Sequence, residues 1–308
     1  MPLFLNEGEV RDLLEAADGV EAVERCCLRL AAGAIDLAPR RRLRLDEGRL
    51  ADMAASDLEL GYAGVKAYAG FASGAAFVVA LFAADRPETV ALIEADYLGR
   101  LRTGGASAVA AKHLAREGAN SLGVIGCGGQ AESQVACMRA ALPGIERVVA
   151  YCRTERNLKA FCERVGAEPG ESHRDPAEQD IVVTITTSRD PVLRGEWLQP
   201  GALVCAVGAN NPASRELDNV VLERASFVCC DWKEQARLES ADLIEPIDLG
   251  VLDWLEVHEL HEVVAGEPGR QSPEDIVVFK SNGIAAWDVA IAAAAVERAR
   301  ERGVGTEL

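Results

Sequence analysis

The sequence predicts an α/β protein that combines a doubly wound parallel sheet with a second, α+β domain. From about Gly105 onward, short apolar segments alternate with helical ones, which indicates a parallel sheet covered on both faces. Before that point, strand-like segments follow one another without an intervening helix, as in a meander. We therefore predict one domain over residues 106–283 and another over residues 1–105 together with 284–308.

The N-terminal third begins with helical segments and continues into the meander. Asn6 is a candidate cap for a helix through Leu14, and helical spacing continues from Val20 to Leu30. A run of arginines follows at positions 40, 41, 42 and 44. The meander predicted after it consists of three strands with a turn at Asp85–Pro87 before the last: Gly61–Tyr68, Ala76–Ala83 and Thr89–Glu94.

The later part begins with an alanine-rich helix over Ala106–Arg116 and ends with an amphipathic helix over Ile284–Arg302. Two further helices are predicted between them, one through Met138 and one over Glu155–Val165. The short apolar segments predict six strands: Leu122–Ile125, Arg147–Tyr151, Asp180–Thr184, Ala202–Val207, Ser226–Cys230 and Ile276–Phe279.

Composition excludes several classes of protein. The formal net charge of −17 disfavours binding to nucleic acid or to an anionic membrane. No apolar run approaches the roughly 20 residues that span a bilayer, and the N-terminus lacks the pattern of a secretory signal. The nine cysteines form an odd set without a Cys-x-x-Cys pair, as expected of reduced thiols in a cytoplasmic protein. We predict no metal site, since His258 and His261 lack further ligands.

A glycine-rich turn follows the strand that ends at Ile125 and begins the next helix. Gly126 permits a tight turn, Gly128 lets the backbone approach a pyrophosphate, and the small Ala131 lets the helix pack on its strand. The helix N-terminus offers N–H groups to phosphates. This pattern predicts a Rossmann-type dinucleotide site with the sequence Gly126-Cys127-Gly128-Gly129-Gln130-Ala131.

The end of the second strand selects the cofactor in such folds. NAD enzymes usually place a carboxylate there to accept the ribose 2′-hydroxyl. This chain has Arg153 and Thr154, which suit a 2′-phosphate, so we predict a preference for NADP(H). In the alternative, Arg153 is a solvated strand-end residue, Glu155 reaches the ribose, and NAD(H) is bound.

Motifs spread over nearly the whole chain resemble those of the ornithine cyclodeaminase/mu-crystallin family. That family includes cyclodeaminases, archaeal-type alanine dehydrogenases, cyclic ketimine reductases, amino-acid synthases and mu-crystallin, so the resemblance does not name one reaction. The matching segments are Gly64-Val65-Lys66, Arg102–Ala108, Gly126–Ala131, Trp197–Gly201, Ala206–Asn210, Arg215–Asp218, Glu262–Gly266, Pro268-Gly269-Arg270 and Phe279–Gly283.

The resemblance implies a homodimer and a clamp for the substrate carboxylate. In such proteins, the N-terminal third and the last helix form a domain that binds substrate and dimerises. The resemblance places this clamp at Arg40, Lys66 and Arg102. An arginine offers a planar fork of donors to a carboxylate, and a lysine offers a point charge. Without the resemblance, these residues could be solvated surface cations, and the sequence leaves open which arginine of residues 40–42 points inward.

Two positions depart from the cyclodeaminase pattern. Asn210 replaces the aspartate that handles protons on the substrate amine, and an amide cannot act as a general base. Ala51 stands where those enzymes have an acidic residue, although Asp52 is adjacent. We therefore predict an oxidoreductase acting on the C–N bond of a small imino or amino acid, with Lys66 and Asn210 as catalytic residues.

Two other activities remain as alternatives within the family. One is a cyclodeaminase-type lyase that releases ammonia with catalytic NAD, and the other is a mu-crystallin-like protein that binds NADPH and a ligand. A synthase acting through an imine would need a second substrate acid.

Beyond the turn and the second strand, the further candidates for cofactor binding are Thr103, Thr186, Val207, Ser281 and Asn282.

Overall fold

The computed structural model describes residues 1–266 and 269–308, so Pro268 of the Pro268-Gly269-Arg270 motif lies outside the described residues. The chain divides into two compact units, residues 1–102 with 284–308 and residues 103–283. Among the described residues, no helix is both long enough and apolar enough to cross a membrane.

The elements up to residue 114 are three helices and six strands. Helices α1, α2 and α3 are Glu7–Leu13, Ala16–Ala31 and Asp96–Leu114. Strands β1 to β6 are Leu3–Leu5, Ile35–Arg44, Gly48–Asp57, Tyr62–Phe71, Gly74–Ala83 and Thr89–Glu94.

The remaining elements alternate strands with helices. Strands β7 to β14 are Ser121–Ile125, Arg147–Tyr151, Glu168–Pro169, Ile181–Thr184, Leu203–Ala206, Ala225–Cys230, Val257–Glu259 and Ile276–Lys280, and β15 is Thr306–Glu307. Helices α4 to α11 are Gly129–Ala141, Glu155–Val165, Arg174–Ala177, Asn219–Arg224, Lys233–Glu239, Ala241–Asp248, Leu260–Val264 and Ala285–Arg302.

The first unit contains a mixed sheet with the strand order β15-β1-β6-β5-β4-β3-β2. Strands β2 to β6 are antiparallel to one another in sequence, whereas β1 is parallel to β6 and antiparallel to β15. Helix α11 packs on one face of strands β2 to β5. Gly64 on β4 allows this close approach, because an added Cβ would lie 2.9 Å from a methyl carbon of Val289. Side chains of alternating residues on β3 and β4, among them Met53 and Lys66, therefore point toward α11.

The second unit is an entirely parallel sheet with the order β13-β12-β14-β11-β10-β7-β8-β9. The chain proceeds outward from β7 to β8 and β9, then returns to β10 on the other side of β7. This reversal between β7 and β10 is the topological switch point where doubly wound folds bind ligands at the carboxyl ends of the strands. The predicted α/β class with a Rossmann-type sheet is confirmed.

Two parts of the local structure were not predicted. The arginine run was assigned to no element and lies on strand β2, and strand β3 was missed, since its alanines, glycine and aspartates do not favour strands. The segment His258–His261 is divided between two elements, with His258 on β13 and His261 on α10. Pairing with β12 holds the first two residues of that segment extended.

Candidate functional site

A cluster of buried charges lies on the inner face of the sheet of the first unit. The Lys66 side chain is 3% exposed, and its Nζ donates a hydrogen bond to Oδ1 of Asp288 on α11 at 2.7 Å. Arg102 Nε donates to the same oxygen at 3.2 Å. Arg40 is buried as well, and its Nη2 lies 3.6 Å from the sulfur of Met53, the residue paired with Lys66 across β3 and β4. Two strands and two helices thus bring three cations and one carboxylate together.

Arg40, the first arginine of the run, has its side chain in this cluster. The β2–β3 pairing shifts register between Ala38 and Arg41, and Arg40 lies within this irregularity with a buried side chain. Arg41 is 78% exposed and forms an ion pair with Asp52. The position that the sequence left open among residues 40–42 is therefore occupied by Arg40.

Burial and mutual repulsion shape the protonation of the cluster. Burial lowers the pKa of Lys66 from 10.5 to about 8; Asp288 opposes this shift, while Arg102 and Arg40 add to it. Burial would raise the pKa of Asp288, but Arg102 and Lys66 outweigh it and hold that pKa below its usual value. Asp288 is therefore ionised at neutral pH, and Lys66 can exchange its proton near physiological pH.

The cluster carries more positive than negative charge. Arg40, Lys66 and Arg102 place three cationic side chains beside the carboxylate of Asp288. A buried cluster of guanidinium and ammonium groups suits a bound anion such as a carboxylate. Phe77 supplies an apolar wall, since Lys66 Nζ lies 5.6 Å from the centre of its ring.

The glycine turn in the second unit borders a groove of about 420 Å³ at the carboxyl ends of β7, β8 and β10. Gly126 has a φ of 113°, which favours glycine, and its N–H donates to Tyr151 O at 2.9 Å. An added Cβ at Gly126 would clash with the carbonyl oxygen of Ile185. Local packing is thus sufficient to require glycine at this position.

Gly128 differs from Gly126, because no neighbour among the residues that the structure describes requires glycine there. Its φ of −78° suits any residue, and an added Cβ would meet no heavy atom within 4 Å. The open space lies at the N-terminus of α4, where backbone N–H groups can donate hydrogen bonds to a phosphate. The turn therefore has the shape that close approach of a pyrophosphate needs, which fits the predicted dinucleotide.

The other predicted cofactor-binding residues lie at several strand ends of this unit. Arg153 and Thr154 follow β8, are exposed, and line the groove together with Gly126, Gly128 and Thr186. The remaining cofactor candidates do not line the groove. Gly129 and Gln130 begin α4, Ala131 is buried in it, and Thr103 is buried in α3. Val207 follows β11, and Ser281 and Asn282 follow β14; the predicted catalytic residue Asn210 also follows β11.

A buried carboxylate missed in the sequence organises the loops after β10 and β11. Glu216 accepts hydrogen bonds from the N–H and hydroxyl of Thr186 at 2.7 and 2.8 Å, from the hydroxyl of Thr184, and from the N–H groups of Gly208 and Ala209. Burial raises the pKa of Glu216, and Lys280 opposes the shift. Five donors to one side chain fix the strand ends that carry Thr186 and Val207.

Asp231 is a second buried carboxylate, and its hydrogen bonds fix the segment that follows β14. Its Oδ2 accepts from the Ser281 hydroxyl at 3.1 Å and from the N–H groups of Asn282 and Gly283 at 2.7 and 2.5 Å. Asp288, Glu216 and Asp231 were all missed as site residues. For Asp288 a signal existed, because it is a lone acid in the apolar stretch Ala285–Ala295 of a helix.

Potential metal ligands also come together near the end of β13. One ligand atom each of Glu259, His261 and Glu262 lies within 4.8 Å of the others. Both carboxylates already accept local hydrogen bonds, Glu259 from the Lys233 N–H at 2.5 Å and Glu262 from the Glu259 N–H at 2.7 Å. These bonds cap helices, and we assign no metal to the group.

The parallel sheet and the glycine turn define a protein of the Rossmann dinucleotide-binding class. The model of the ornithine cyclodeaminase/mu-crystallin family matches residues 2–303, and the chain belongs to this family. Alanine dehydrogenase of Archaeoglobus fulgidus is 35% identical over 99% of this chain and 98% of its own length.

Two solved structures have the same fold over the full chain. The Thermococcus litoralis Δ1-pyrroline-2-carboxylate reductase in complex with NADH and L-proline superposes with a TM-score of 0.94 at 31% identity, covering 99% of this chain and all of that one. An archaeal alanine dehydrogenase dimer with bound NAD gives a TM-score of 0.93 at 32% identity, covering 100% of this chain and 98% of that one. The predicted family membership is confirmed, and these relatives are oxidoreductases of amino and imino acids.

Proposed function

We propose that this protein is a nicotinamide-nucleotide-dependent oxidoreductase that acts on the C–N bond of a small 2-imino or 2-amino acid. The observation that carries the proposal is the buried cluster of Arg40, Lys66 and Arg102 beside the carboxylate of Asp288. Arginine and lysine donors grouped in this way suit the α-carboxylate of a substrate. The relatives that act on alanine and pyrroline-2-carboxylate support this choice of anion.

Each residue of the cluster has a distinct task in this proposal. Arg40 and Arg102 hold the substrate carboxylate and so orient the α-carbon, which lowers the entropic part of the barrier. Lys66 gives a proton to the imine nitrogen, a role that suits a pKa of about 8. Asp288 is a positioning residue that keeps the Lys66 ammonium in place at 2.7 Å.

The chain's residues in the second unit would hold the nucleotide. Gly128 and the first N–H groups of α4 would receive the pyrophosphate, and Glu216 and Asp231 would keep the loops with Thr186 and Asn282 in shape. A nicotinamide nucleotide, when bound, supplies the hydride that reduces the imine carbon. Asn210 would hydrogen-bond the substrate nitrogen or the nicotinamide amide, with Thr103, Val207 and Ser281 as further contacts.

We propose that NADP(H) is preferred over NAD(H). Arg153 and Thr154 line the groove at the end of β8, and His173 lines it beside them. An arginine and a hydroxyl suit a 2′-phosphate, which is a dianion. The test compares KM for NADPH and NADH with the same imino acid; a lower KM for NADH would refute this preference and favour Glu155 as the ribose ligand.

We further propose a homodimer that uses the outer face of the sheet in the first unit. This face, opposite α11, exposes apolar side chains on β5, with Val78 39% and Phe82 38% exposed. Neighbouring outward positions are also apolar, such as Val65 and Ala80, which pair across β4 and β5. The relative described as a dimer supports a second copy as the partner. In a sedimentation experiment, Phe82→Glu should behave as a monomer. Leu58→Glu is the control, because Leu58 is exposed in a turn, and it should remain a dimer.

The activity is tested by incubating purified protein with NADPH or NADH and a panel of 2-imino acids. The panel includes cyclic ketimines and the imines that pyruvate and other 2-oxo acids form with ammonia. We expect nucleotide oxidation with at least one member, and loss of turnover in Lys66→Met. Ammonia release from ornithine without net nucleotide turnover would identify a cyclodeaminase instead, and tight ligand binding without turnover would identify a binding protein.

A further inference from the structure

Two cysteine thiols meet at the edge of the nucleotide groove. Cys127 is the second residue of the glycine turn after β7, and Cys152 directly follows β8. Ile125 and Tyr151 are paired across these parallel strands, and the hydrogen bond from Gly126 N to Tyr151 O extends the pairing by one step. Both cysteines line the groove and are half-buried, and they are close enough that Cys152 raises the pKa of Cys127. The Cys152 thiol donates to Thr154 O at 3.5 Å.

This arrangement suits a disulfide. Neighbouring strands lie about 4.8 Å apart, and disulfides join residues whose Cα atoms are commonly about 5.5–6 Å apart. Cys127 and Cys152 are offset by one residue along adjacent strand ends, which is compatible with that spacing. We propose that Cys127 and Cys152 form a thiol modification site that reacts with a low-molecular-weight disulfide and closes to an intramolecular disulfide across the groove.

The reaction balances in two exchange steps. The Cys152 thiolate attacks one sulfur of the small disulfide, which breaks its S–S bond, forms a mixed disulfide and releases one thiol. Cys127 then attacks the Cys152 sulfur, which forms the Cys127–Cys152 bond and releases the second small thiol. The two protein thiols are oxidised, each losing its proton to solvent or to the leaving thiolate, and the small disulfide is reduced.

The electrostatics favour this order of attack. Burial raises the pKa of Cys127, and the neighbouring Cys152 raises it further. Cys127 is therefore a poor first nucleophile, since the thiolate is the reactive form. Once Cys152 is a neutral mixed disulfide, its contribution to the raised pKa of Cys127 disappears; burial still raises that pKa, and the nearby Arg164 lowers it.

The bond would change the groove where a nucleotide enters it. It would tie the glycine turn to the strand end that continues into Arg153 and Thr154, and so fill the space between the sites assigned to pyrophosphate and ribose. Loss of nucleotide affinity on oxidation rests on the function proposed above, whereas formation of the disulfide does not. A bound nucleotide would in turn shield both thiols.

The test treats the reduced full-length protein with glutathione disulfide and maps the products by peptide mass spectrometry. We expect a Cys127–Cys152 disulfide, seen as the loss of two hydrogen atoms, and an affinity for NADPH that falls about tenfold or more. Dithiothreitol should restore binding, and saturating NADPH should slow the reaction. Protein that keeps both thiols reduced, or that forms the disulfide with unchanged affinity, would overturn the proposal.

Matched variants identify the partners. Cys127→Ser and Cys152→Ser should each prevent the intramolecular disulfide, whereas Cys162→Ser, which changes the next nearest thiol, should still form it. Pairing of Cys152 with Cys162 in the wild type would contradict the assignment. If the reduced protein binds neither NADPH nor NADH, the proposed function fails, while the disulfide map still decides the modification site.

Discussion

Replacing Asp288 with asparagine removes the carboxylate that lies 2.7 Å from Lys66 Nζ without changing the shape of the side chain. At this distance and an effective dielectric constant of about 20, Coulomb's law gives about 6 kcal/mol for the lost attraction. An amide oxygen still accepts a hydrogen bond and the site can relax, so we take about half of this value. That half corresponds to a fall of about 2 units in the pKa of Lys66.

The pH dependence of kcat/KM for imine reduction measures this change, because it reports groups of the free enzyme. In the wild type, protonated Lys66 is the competent form, so kcat/KM should fall as pH rises through about 8. In Asp288→Asn the same decline should occur about 2 pH units lower, which reduces kcat/KM at pH 7 by about tenfold. Lowering the pH should recover much of that loss.

Two controls separate positioning from a general loss of stability. Asp57→Asn removes another fully buried carboxylate of the same unit, paired with Arg29 at 2.7 Å, and should lower stability without moving the pH profile. Asp288→Glu keeps the charge and should restore the decline near its original pH. An Asp288→Asn enzyme that folds and declines at the wild-type pH would refute the role assigned to Asp288.

Three further substitutions test other parts of the site. Gly128→Ala should raise KM for the nucleotide about tenfold or more and leave thermal stability unchanged. Gly126→Ala should also destabilise the fold by about 1–3 kcal/mol, because the φ of Gly126 is 113°. Equal thermal shifts of the two variants would contradict this contrast. Arg153→Ser should raise KM for NADPH about tenfold while changing KM for NADH little, and equal effects on both would refute contact with a 2′-phosphate. Glu216→Gln should lower the free energy of unfolding by about 1–3 kcal/mol and weaken nucleotide binding, as measured by chemical denaturation and fluorescence titration; an unchanged nucleotide affinity would count against its positioning role.

Periodicity predicted most of the second unit from the sequence. Its central strands are mostly buried and consist of continuous apolar runs, so β7, β8 and β10 lie close to their predicted bounds. The first unit was harder to predict, because β2 and β3 contain arginines, aspartates and alanines whose extended form depends on pairing with each other and with β4. Tertiary pairing overrides local preference there.

The candidate site was predictable where a residue type stands in a recognisable motif. Lys66 and Arg102 were found through the resemblance, and Gly126 and Gly128 through the chemistry of the turn. Asp288 could not be linked to Lys66 from the sequence, since 222 residues separate them and only the packing of α11 on β4 brings them together. Glu216 stood in a recognised motif, yet its role depends on hydrogen bonds to two loops that the motif does not encode.

The most direct test of the account follows the hydride itself. The enzyme is given NADPH or NADH in which both hydrogens at C4 of the nicotinamide are deuterium, together with the 2-imino acid that it turns over fastest, and the amino acid product is analysed by mass spectrometry. The account predicts one deuterium at the α-carbon of the product for each nucleotide oxidised, and no product in Lys66→Met. A product without deuterium, or ammonia released while the nucleotide stays unchanged overall, would contradict it.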